Sequence, residues 1–166
     1  MATLNAKVTV SIIADLINAL DLTSPKDPLR LSHQEDLANG TGANQANMLW
    51  HDQRTLSTGA SENIDLAGAL TNAFGTTITF TKIKALLIEN LNSSRTLTIG
   101  GASSNAWIGA LVATNDLIVI QPGGVFLITA PGASGMAVVA DTGDILKVLN
   151  AAGGDTTYNI AIIGTV

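Results

Sequence analysis

The sequence predicts an all-β fold, an antiparallel sandwich or barrel carrying an N-terminal arm, and three observations carry that expectation. Short β-branched segments recur from residue 48 onward, separated by clusters of Gly, Pro, Asn and Asp. No helical crossover pattern joins them, as a parallel sheet would require. Residues 1–39 contain no glycine, whereas the remainder holds all 16, so the composition breaks near residue 47. The 166 residues therefore divide into an arm, 1–47, and a β-sandwich domain, 48–166.

In the arm, Ile12, Ile13, Leu16, Ile17 and Leu20 recur at helical spacing until Pro25. This predicts a short amphipathic helix over about residues 11–22, with Ser11 as its N-cap. Val8, Val10 and Ile12 also alternate, which makes a strand the competing reading. Residues 27–36 read as a solvated connector, and 38–44, small and polar, as a flexible linker. A helix of about twelve residues is marginal alone in water, so its apolar stripe needs a docking surface. Ile12, Ile13, Leu16, Ile17 and Leu20 are therefore the expected partner-binding residues.

In the body, residues 49–56 and 63–66 read as strands. Residues 77–84 alternate strictly and run into Ala85-Leu86-Leu87-Ile88, which implies burial on both faces or a bulge. Residues 95–99, 145–148 and 157–163 complete the set with three pieces of the uncharged stretch 117–140. That stretch is long enough to span a bilayer, but Pro122-Gly123-Gly124 and Pro131-Gly132 cut it into three strands and two turns. Neither a signal peptide nor a membrane partner is expected.

Charge excludes other classes. Only 13% of residues are charged, about half the usual share, and the net charge of −5 argues against nucleic-acid binding. Between Arg95 and Asp141 the one charged residue is Asp116. A surface so bare predicts a homo-oligomer or an assembly partner, since free monomers use charge to guard sheet edges.

No chemistry-bearing pattern emerges. Zero cysteines exclude disulfides, a thiolate nucleophile and a cysteine-ligated metal. His33 and His51, even with Glu35, Asp36 and Asp52 nearby, do not form a convergent ligand set, and His51 is expected to pack beside Trp50. Asp141-Thr142-Gly143-Asp144 resembles half a calcium loop but lacks its later ligands, so it reads as a turn. Gly132-Ala133-Ser134-Gly135 is not a nucleophile elbow, and no glycine-rich loop precedes a lysine followed by Ser or Thr. Trp50, Trp107 and Tyr158 are the aromatics that would stack on a sugar or anchor a core. No catalytic residue, cofactor or metal is expected.

Trp50-His51-Asp52-Gln53-Arg54-Thr55-Leu56, Ile64-Asp65-Leu66-Ala67-Gly68, Lys82-Ile83-Lys84-Ala85-Leu86, Pro122-Gly123-Gly124-Val125-Phe126 and Asp144-Ile145-Leu146-Lys147 form a series. It resembles small structural proteins of tailed bacteriophages, of the capsid decoration or cement type. The resemblance covers residues 50–166. It implies a jelly-roll-like sandwich, a trimer on the shell, the major capsid protein or another virion protein as partner, and a place in the virion after synthesis in the bacterial cytoplasm. A tail, baseplate or fibre component is the alternative, as is an adhesion module using Trp107.

Overall fold

The computed structural model describes residues 3–166 and is all-β. Among the described residues there is no helix, hence none long and apolar enough to cross a membrane. Strands β1 (Ala6–Ile17) and β2 (Lys26–Asn39) pair antiparallel over twelve positions without a bulge. β3 (Gln45–Ala46) adds a short parallel pairing to the end of β2. The body then runs β4 (Met48–Leu56), β5 (Ser61–Asp65), β6 (Ala67–Thr71), β7 (Thr77–Thr79), β8 (Lys82–Asn90), β9 (Leu97–Gly100), β10 (Leu117–Ile120), β11 (Val125–Thr129), β12 (Met136–Ala137), β13 (Ile145–Asn150) and β14 (Thr156–Thr165).

Two antiparallel sheets build the sandwich. One has the order β11-β8-β14-β4, with β12 continuing beside β8; the other has the order β10-β9-β13-β5. The side-chain period of two sorts β14 cleanly: Thr156, Tyr158, Ile160 and Ile162 are buried, whereas Thr157, Asn159, Ala161 and Ile163 lie on the outer face and are half-buried. Leu86 and Ile88 of β8 face the core beside Ile160 and Ile162, opposite Leu97, Ile99, Leu146 and Val148 of the second sheet. The apolar run at 85–88 is paired in regular register; the irregularity lies just before it, where the register shifts at Ile163/Gly164 and leaves Lys84 without a cross-strand partner on β14. Gly164 is required there, because a Cβ would strike the Lys82 carbonyl and the Phe80 ring.

The helix expected over residues 11–22 is not formed. Residues 6–17 are extended, and 27–36, expected as a connector, are the second strand of the hairpin. The helical spacing of Ile12, Ile13, Leu16 and Ile17 coexists with alternation from Val8 to Ala14, and twelve cross-strand pairs with β2 favour the extended form. Of the linker expected at 38–44, Ala38 and Asn39 end β2 and residues 40–44 form a fastened turn. Gln45 Oε1 accepts the Gly42 N–H at 2.8 Å, and the Asn44 N–H donates to Pro131 O at 2.8 Å. Asn44 itself has φ +53°, a conformation that asparagine tolerates.

Candidate functional site

The hairpin is an amphipathic ribbon. Because strand side chains alternate, Val8, Val10, Ile12, Ala14 and Leu16 share one face with Asp27, Leu29, Leu31, His33, Glu35 and Leu37 of the paired strand, so the face is apolar at its centre with an acid toward each end. The opposite face carries Lys7, Asp15, Lys26, Arg30 and Asp36, tied into ion pairs: Asp15 meets both Lys26 and Arg30 at 2.8 Å, and Lys7 meets Asp36 at 3.5 Å. Hydrogen bonds from Arg30 and then Lys26 hold the Asp15 carboxyl below its ordinary 3.8. These pairs are exposed and contribute little stability, but they fix which face is wet.

The apolar face is buried only at its root. Leu37 is buried, whereas Val10, Ile12, Leu16, Leu29 and Leu31 are exposed, with Leu16 at 73%. Among the described residues, no hydrogen bond links 12–31 to the body. The ribbon thus leaves the sandwich with its apolar side uncovered, a state a two-stranded hairpin sustains poorly in water.

Lys84 anchors the root. Its side chain is fully buried, and its ammonium donates to Gly42 O at 3.2 Å and to Gly132 O. Burial, with the nearby Lys82 charge, pulls its pKa below the ordinary 10.5. One cation thereby binds the turn after the hairpin and the turn after β11 to the bulge of β8.

Beside the root lies a cleft of about 550 Å³. Val8, Val10 and His33 of the ribbon face Leu87, Val125 and Leu127 on the outer face of the sheet. That outer face is ordered in rows by the register. Leu49, Ile163, Ala85 and Thr129 form one row, and His51, Ala161, Leu87 and Leu127 the next. The third row turns polar: Gln53 donates to Asn159 at 2.9 Å, and Asn159 to Glu89 at 2.8 Å. Two apolar rows without an acid or a lysine therefore adjoin the apolar face of the ribbon. A second concavity, of about 440 Å³ near Leu4, Trp50 and Phe74, has His51 and Asp52 as its ionisable lining residues among the described residues.

A polar network forms a clasp between the sheets. Glu62 of β5 accepts hydrogen bonds from Tyr158 of β14 and from Arg54 of β4, whose guanidinium also reaches Asp52 at 3.0 Å. Hydrogen bonds to Glu62 and Asp52 raise the pKa of Arg54, and burial raises that of Tyr158. The network positions strands β4, β5 and β14, and Asp52 is the member that also borders the second concavity.

The residues singled out in the sequence are redistributed. Ile12 and Leu16 lie on the apolar face of the ribbon, Ile13 and Ile17 on the charged face, and Leu20 in the hairpin turn. The five do not form one stripe, since helical and extended backbones sort the same positions differently. His51 does not pack beside Trp50: Trp50 is buried, and alternation sends His51 to the exposed outer face. Trp107 is buried, its Nε1 donating to Ala137 O at 2.9 Å, and Tyr158 is buried too, so neither offers a sugar platform; Trp50, also largely buried, reaches the surface where it lines the second concavity. His33 contacts Glu35 at 2.8 Å, and among the described residues no group of three metal-ligating side chains forms. Leu29 and Leu31 escaped sequence reasoning, although Leu29, Leu31 and His33 alternate as Val8, Val10 and Ile12 do. No family model, no curated protein and no solved structure matches this chain.

Proposed function

We propose that the chain is a non-enzymatic virion structural protein of the capsid decoration type, which binds an assembled phage head and reinforces it. The observation that carries the reading is a charge-poor sandwich joined to a projecting amphipathic hairpin. Edge strands β10 and β11, linked by the turn at 121–124, lie in the segment whose only charge is Asp116, and they expose Leu117, Val119 and Val125. Natural edges are normally guarded by charge or proline, so an unguarded pair favours burial in an assembly.

The strand order supports the jelly-roll reading. Taken in chain order, β4, β8, β11 and β14 belong to one sheet and β5, β9, β10 and β13 to the other. Two four-stranded sheets connected this way match the jelly roll used by capsid and lectin domains. Fold alone does not assign a role; the hairpin and the bare edges point to assembly. Reinforcement needs no catalysis, because contacts repeated by the symmetry of a shell add stability through mass action and multivalency, with a trimer as the favoured unit.

The test is a side-chain-resolution cryo-EM map of virions from the phage that encodes the chain. Sandwich density at regular positions on the head supports the reading. Density only on the tail or baseplate, or absence of the chain from purified virions by mass spectrometry, overturns it.

A further inference from the structure

The uncovered face of the hairpin and the two apolar rows of the sheet are complementary surfaces on one chain. Val10, Ile12, Ala14, Leu29 and Leu31 form an uncharged centre on the ribbon, bounded by Asp27 beside Leu16 and by Glu35 beside Val8, and Leu49, Leu127 and their row partners on the sheet carry no acid or lysine. The ribbon cannot lay its outer half on its own sheet. Its register is unbroken over twelve pairs, its root is tied down through Lys84 and Asn44, and only residues 8–11 and 33 border the cleft.

We propose that the hairpin docks its Ile12–Leu31 face on the outer face of the β11-β8-β14-β4 sheet of a second copy of this chain, beside that copy's own hairpin root. The inference takes the hairpin as the joining element of the assembly reading and specifies what it joins.

Area selects this arrangement over the simpler one. The eight paired positions from Val10 to Ile17, beyond the covered root, at about 3.3 Å per residue make a ribbon roughly 26 Å long and 10 Å wide, or roughly 260 Å² per face. Two hairpins stacked face to face would bury roughly 500 Å² in all, the scale of an adventitious contact. Two hairpins each laid on the other copy's sheet bury four such surfaces, roughly 1,000 Å², the size that a specific interface must reach. Hand-over around a ring of copies buries the same area per subunit, so the contact serves a dimer or a trimer alike.

The experiment uses the purified full-length chain, with mass measured by light scattering and sedimentation across the micromolar range. Wild type is expected at a multiple of 17.0 kDa. Ile12→Asp with Leu31→Asp, and separately Leu49→Asp with His51→Asp, one from each apolar row of the sheet, should each weaken assembly roughly 100-fold or more, because an unpaired charge is buried. Ile13→Asp, on the charged face of the ribbon, should leave the mass unchanged. All substituted side chains are exposed, and unchanged melting temperatures verify the fold. Amide exchange at residues 10–17 and 27–33 of wild type should slow as concentration rises, which reads the same contact without a substitution. A wild-type monomer, a sheet variant that still assembles while the hairpin variant does not, or exchange independent of concentration each overturns the proposal. Particle binding by a monomeric wild type would overturn it while leaving the virion reading intact.

Discussion

Tyr158 and Glu62 meet across the two sheets, the phenol hydroxyl donating to the Glu62 carboxylate while its ring lies fully buried among Ile160, Leu56 and their neighbours. A buried hydroxyl without a partner would be destabilising, and a carboxylate without donors more so. Their union, extended by Arg54, closes one side of the sandwich, where β4 and β5 are edge strands.

Tyr158→Phe should destabilise the fold by about 1.5–3 kcal/mol, the range for a hydrogen bond to a charged acceptor. Glu62 keeps Arg54, so the loss is partial. Melting monitored by circular dichroism checks it, with an expected fall of several degrees.

The same residue sets an alkaline limit. Burial raises the Tyr158 pKa in the folded chain above the ordinary 10.0 that applies in the unfolded chain. The folded state then holds the proton more tightly, so this stabilisation is complete below pH 10.0 and is lost as pH rises from there toward the folded value. The slope approaches about 1.4 kcal/mol per pH unit for one proton. Denaturant titrations above pH 10 should show the loss in wild type and a shallower one in Tyr158→Phe.

Lys84 works with the opposite sign. Its pKa is lowered in the folded chain, so between that value and the ordinary 10.5 the unfolded chain binds more protons and stability rises with pH. Lys84→Met should abolish that rise. It should also free the turns at 42–45 and 131–135, read as faster amide exchange there while the core around Ile160 stays protected.

Gly164→Ala should cost about 1–3 kcal/mol, since the added methyl meets backbone at Lys82 and a packed Phe80 ring that cannot turn away. A comparable loss in the nearby exposed Val166→Ala would show that the bulge is not the cause.

Asp144 is a turn residue with one oxygen accepting the Asp141 N–H at 2.7 Å and the other, buried, without a hydrogen-bond partner. Asp144→Ala should cost about 1–2 kcal/mol by removing that turn bond. Added calcium should move the wild-type melting temperature by no more than about a degree, whereas a bound ligand would stabilise by mass action. A calcium-dependent rise that disappears in Asp144→Ala would refute this.

The strands of the body were legible in the sequence because alternation and turn residues are local properties. Residues 117–120 and 125–129, bounded by Pro122-Gly123-Gly124, needed nothing beyond their own order to be read as strands. Charge depletion was equally direct. The sequence by itself determined an all-β body, its turns and the absence of any familiar catalytic pattern.

Tertiary structure decided what local order left open. Val8 to Leu20 satisfies both the 3.6 and the 2.0 period, and the choice fell to pairing with residues 26–37, a partner that no short window contains. That choice placed Ile12 with Leu31 on one face and Ile13 with Arg30 on the other. Likewise only the fold could show Lys84 held by two distant carbonyls, or Glu62 reached by Tyr158 across 96 positions of chain. Backbone preference acts between neighbours, whereas burial and hydrogen bonding act between whatever the chain brings together, and the amphipathic face of the hairpin is a product of the second.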